Sequence, residues 1–195
     1  MNRTPFMEGY KEAEKKFGAL FGAERGDTYV HEVEKVINDF NNDINKYSGV
    51  QTDIRQLKGI IAEAWHTGTF NIDATVKNTG ERVYMPGSNI LGSADIRASW
   101  EIDYGSKYYD TPGASAKAQA ISYFERFRQS KFKGTFEEYC QINRLGNPDE
   151  IMHRPLYEGQ VRIIPTDQLP EAKEDLERII LEEQQKRPEL VEKYR

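Results

Sequence analysis

The chain has 195 residues, of which 37% are hydrophobic and 30% charged, and a formal net charge of -5. That length holds one domain, or one domain with helical extensions, and 9 Phe, 11 Tyr and 2 Trp exclude general disorder. The acidic balance excludes a broad basic nucleic-acid surface, but not a carboxylate site whose bound cation reverses the local potential.

In chain order, Tyr10, Phe17, Leu20 and Phe21 predict a short amphipathic helix over about 8–21, weakened by Gly18 and Gly22. Asp27 or Thr28 caps a second helix over about 29–47, with Val33, Val36, Ile37, Phe40 and Ile44 on one stripe. Thr52 or Asp53 opens a third, burying Ile54, Leu57, Ile60, Ile61, Ala64 and Trp65, with Gly68 as its stop. The period then changes. Phe70, Ile72, Ala74 and Val76 alternate with polar residues, as in a half-buried strand. Asn78-Thr79-Gly80 reads as a turn and 82–85 as the returning strand. Strands follow at 94–98 and about 100–109. A helix is expected from Ser115 to Phe127 or beyond, another after the cap Thr135, and one helical turn at 149–153. Residues 161–165 are a strand candidate, and Pro170 suits the start of a last, charged helix running to the end of the chain.

This order predicts an α/β or α+β fold. A small mixed sheet of about four strands is flanked by helices, with helical extensions at both ends. The expected divisions are an N-terminal helical extension over 1–50, a core over 51–165 and a C-terminal helix over 166–195. The charged last helix stops without a cap, so it is expected to lead into a further region of a longer protein.

Cys140 is the only cysteine, which excludes an internal disulfide framework and predicts a reducing compartment. No run reaches the roughly 18 apolar residues of a membrane span, and 1–5 lack the apolar segment of a signal peptide. The expected location is cytoplasmic, with no membrane partner.

The chemistry-bearing residues cluster in 58–109. Glu63 lies on a helix, Asp95 at a strand end after Gly92-Ser93-Ala94, and Lys107 twelve residues later at the end of the next strand. Alternation puts Glu101, Asp103, Gly105 and Lys107 on one face. Hard cations prefer carboxylate oxygens, and a lysine beside them can orient water or offset developing charge. Each residue also has a plain reading: a solvated helix acid, a turn-capping aspartate, and a lysine snorkelling at a strand end.

The arrangement resembles the restriction-endonuclease-like superfamily, the PD-(D/E)xK fold, over about 58–128. The resemblance implies a divalent-metal-dependent endonuclease acting on phosphodiester bonds, with DNA as the expected partner and Mg2+ or Mn2+ as cofactor. Carried over residue by residue, Lys107, Asp95 and Glu63 are the expected catalytic residues. Asp95 and Glu63 are the expected metal ligands, and Asp103 is available to replace an absent third. Lys117 and Gln119 match the helix that often adds polar residues to such sites. With Arg126 and Lys131 they are the candidate nucleic-acid contacts. The departure is Gly105, which stands where the family has an acid or glutamine. The alternative is therefore a non-catalytic structural, protein-binding or nucleic-acid-binding module on a degenerate nuclease fold, with self-association or a further domain of the same chain as partner. DNA or RNA preference, and a role in mobile-element transfer, phage defence or repair, stay open at this level.

Overall fold

The computed structural model describes residues 23–51, 53–88 and 90–194. The helix expected over 8–21 lies outside them. Two long helices come first, α1 (Ala23–Asn45) and α2 (Ile54–Val76). Three short strands follow, β1 (Val83–Tyr84), β2 (Ile96–Ala98) and β3 (Asp103–Ser106). Then come α3 (Pro112–Gln119), α4 (Tyr123–Gln129), α5 (Phe136–Ile142), the single turn α6 (Pro148–Ile151) and β4 (Val161–Ile163). A 3-10 turn (Thr166–Gln168) leads into α7 (Leu169–Lys186), and a second 3-10 segment covers Pro188–Tyr194.

The strands form one mixed sheet in the order β1-β2-β3-β4, antiparallel except for the parallel β3-β4 pair. This is the expected class: a small four-stranded mixed sheet flanked by helices. One face packs Val83, Ile96 and Ala98 with Tyr104 and Ile163 against Phe70 of α2. The opposite face carries Gly105, where Gln119 of α3 donates from Nε2 to the Gly105 carbonyl at 2.7 Å and the Ile163 carbonyl at 3.2 Å. A separate aromatic cluster joins α4, α5 and α6 through Phe124, Phe127, Phe136, Tyr139, Cys140 and Ile151.

The strand expected at 70–76 is helix. Gly68 does not stop α2, because it is the contact point for α1. A Cβ there would lie 2.0 Å from the Phe40 ring. On either side of it the buried positions Ala64, Thr67, Ala74 and Thr75 keep the helical period, and the alternation at 70–76 loses to it. Asn78-Thr79-Gly80 is accordingly a helix end rather than a hairpin turn. Asn78 adopts φ 53, Asn78 N–H donates to the Thr75 carbonyl and Thr79 N–H to the Ala74 carbonyl. These are the two bonds of a Schellman cap.

Two other helices also differ from expectation. The helix expected over 115–127 is two, because Ser122 and Glu125 form a capping box that restarts the chain as α4. The first of them starts earlier, at Pro112, capped by Thr111. The last helix ends at Lys186, where Pro188 cannot continue it. Among the described residues, no helix is long and apolar enough to cross a membrane.

Candidate functional site

Asp95 enters β2 with its amide bonded to the Tyr104 carbonyl at 3.0 Å, which fixes it opposite the end of β3. Its Oδ2 accepts from the Ser106 amide at 2.7 Å and from Lys107 Nζ at 2.7 Å. Lys107 is held from two more directions. Its Nζ donates to the Ser106 carbonyl at 3.1 Å and lies 4.4 Å from the Tyr157 ring centroid. Burial pushes the ammonium down, but Tyr157, Asp95 and Glu63 more than offset it and hold its pKa above the ordinary value.

Glu63 reaches this pair from α2. Burial, then the neighbouring Asp95 carboxylate, push it up to about 7, against the pull of Lys107. Near neutral pH the group therefore carries a proton about half the time. Three residues named from sequence are thus linked, Asp95 and Lys107 by direct contact and Glu63 to both by charge. Glu63 and Lys107 line a groove of about 760 Å³ between α2 and the segment 106–114, together with Gln56, Ile60 and Tyr109 among others.

Asp103 does not join them. It stands opposite Arg97 in the β2-β3 register, and its two oxygens accept from Arg97 at 2.6 and 2.7 Å. Asp103 and Lys107 share a face, as alternation requires, but the cross-strand partner differs: Arg97 for one, Asp95 for the other. Among the described residues, no three His, Cys, Asp or Glu side chains are placed to hold one metal ion. The residues present supply two carboxylates at most.

The vacancy at Gly105 is filled. A Cβ there would stand 2.8 Å from Gln160 Oε1 and 3.1 Å from Gln119 Oε1. Both amide oxygens are buried without a hydrogen-bond partner. Their nitrogens are held, Gln119 on the sheet carbonyls and Gln160 on the Gly92 carbonyl at 2.8 Å, which turns the oxygens toward the glycine. Gln119 is 1% exposed. It is a sheet clamp here, not an outward-facing contact. Lys117, Arg126 and Lys131 are all exposed.

Sequence reasoning missed Gln160, Tyr157 and Lys193. The first two sit in a loop where no period marks them. Lys193, 2% exposed, donates to both oxygens of Glu125 at 2.7 Å and pins the final segment to α4. His66 is bonded to Tyr108 Oη at 2.5 Å through Nε2, and burial lowers its pKa, which favours the neutral ring.

No family model matches the chain, and neither a curated protein nor a solved structure shows detectable similarity to it.

Proposed function

We propose that the chain is a nucleic-acid-binding module built on a nuclease-like core that does not itself cut. The observation that carries this is the closed state of the site. Lys107 is spent on Asp95 at 2.7 Å, and the place of a third acid is taken by Gln119 and Gln160 against Gly105. The order of elements, a helix with Glu63, three antiparallel strands, four short helices and a strand parallel to β3, is compatible with the nuclease-like ancestry that the motif resemblance implies. Exposed Lys117, Arg126 and Lys131 supply backbone contacts.

One observation favours a second reading, hydrolysis of DNA assisted by Mg2+ or Mn2+. Glu63 and Asp95 are close enough to raise the Glu63 pKa, and a divalent cation would relieve that repulsion. With two carboxylates the residues do not complete a carboxylate shell, and no step is assigned to the metal.

One experiment separates the readings. Single-stranded, duplex and supercoiled DNA and single-stranded RNA are incubated with the chain with and without Mn2+. Binding is read by anisotropy and products on denaturing gels. The binding reading expects salt-sensitive complexes and intact nucleic acid. Metal-dependent products that vanish in Asp95→Asn establish the second reading, and absence of any complex removes both.

A further inference from the structure

Beside the groove lies a second hollow of about 370 Å³, within the range of small-ligand sites. Its floor and walls come from four parts of the chain: Lys107 and Tyr109 after β3, the α3–α4 region, Tyr157 in the loop before β4, and Tyr194 in the final segment. Lys107, Tyr109 and Ala114 line both hollows, so the two adjoin along that ridge.

The lining combines two chemistries. Tyr109, Tyr157 and Tyr194 offer aromatic surface. Two of these rings lie under lysines, Lys107 at 4.4 Å from Tyr157 and the buried Lys193 at 4.8 Å from Tyr194. Lys117 and Arg126 offer positive charge, and neither makes a salt bridge among the described residues. Glu125 is the acid in the lining, and Lys193 neutralises it at 2.7 Å. A hollow with free cations, fixed rings and a cancelled acid suits a ligand that is both anionic and flat.

We propose that this hollow is a nucleotide subsite, taking an unpaired base against Tyr109, Tyr157 and Tyr194 and its phosphate on Lys117 and Arg126. The inference rests on the nucleic-acid-binding reading and sharpens it to single strands. A base inside a duplex is stacked on both faces and cannot enter; an unpaired one can stack on a ring.

The test uses the full chain and fluorescein-labelled oligothymidylate of about 12 nucleotides, within the usual span of single-strand sites, against a duplex of the same length. The single strand is expected to bind at least about tenfold tighter. Lys117→Gln with Arg126→Gln is expected to weaken it about tenfold and flatten the log-affinity against log-salt slope by about 1.4, roughly 0.7 per lost contact. Tyr194→Leu is expected to cost about tenfold without changing the slope, as loss of one stacking platform does. Arg178→Gln, on α7 and paired with Asp175 and Glu182, serves as the unaffected control. If Tyr194→Leu melts well below the parent, the exposed Lys117 and Arg126 pair carries the test. Equal or tighter duplex binding overturns the subsite while leaving the binding reading intact, and so does single-strand binding indifferent to the Lys117 and Arg126 changes. Absence of binding to any nucleic acid overturns both.

Discussion

Lys107 and Lys193 are two lysines withdrawn from water, and they are accommodated in different ways. Lys193 is sealed. Its side chain is 2% exposed, and it meets both oxygens of Glu125, one of which also accepts from the Ser122 amide at 2.8 Å. Burial raises Glu125, but Lys193 and Ser122 outweigh it and leave the carboxyl below its ordinary pKa. Lys107 is 13% exposed, meets one oxygen of Asp95, and shares the groove border with a second acid that is half protonated near neutral pH. The first is a latch, paired with both oxygens of one carboxylate, that fastens the final segment to α4. The second borders an open groove and is the less sealed of the two pairs.

The comparison breaks first at the latch. Glu125→Ala leaves Lys193 charged, buried and unpaired, and is expected to destabilise the fold by about 3 kcal/mol, read from the urea midpoint at unchanged slope. A loss below about 1 kcal/mol would place Lys193 in water and end the contrast. Asp95→Asn is expected to cost less, about 2 kcal/mol in the same measurement, because Lys107 keeps the Ser106 carbonyl and the Tyr157 ring. Gly105→Ala is expected to cost about 1–2 kcal/mol, since the new methyl meets two amide ends whose nitrogens are tied down. Gln160→Ala in the same background opens the space and is expected to recover part of that loss.

The smallest effect sharpens the site through pH. Glu63 has a raised folded pKa, so between about 4.5 and 7 the native state binds more protons than the unfolded one. Its contribution is therefore fully present below about pH 4.5 and is lost as pH rises through about 7. Glu63→Gln is expected to remove that decline and to be more stable than the parent at pH 8 by about 1 kcal/mol, after allowing for solvent screening of a half-exposed group. Parallel melting curves for parent and variant from pH 5 to 8 would contradict it.

Much of the site was legible because its residues carry distinctive chemistry at positions set by local rules. Glu63 on a helix, Asp95 at a strand end and Lys107 two residues beyond Gly105 all follow from pattern and alternation, and the chain brings them together. Asp103 was misleading because alternation gives a face but not a partner. Arg97, directly across the strand pair, decides where its carboxylate goes. Gln160 carried no local signal at all.

The sequence by itself determined the mixed helix-and-sheet class, the two helices on either side of Gly49, the cap at Thr135 and the order of the acids and the lysine. These depend on propensity, period and caps, which act over a few residues. Only the tertiary structure decided that 70–76 is helix, because the Phe40 ring over Gly68 and the sheet against Phe70 outweigh a seven-residue alternation. It also decided that the gap at Gly105 is closed by two glutamines. That outcome depends on contacts between residues 14 and 55 positions away along the chain, and no local rule reaches so far.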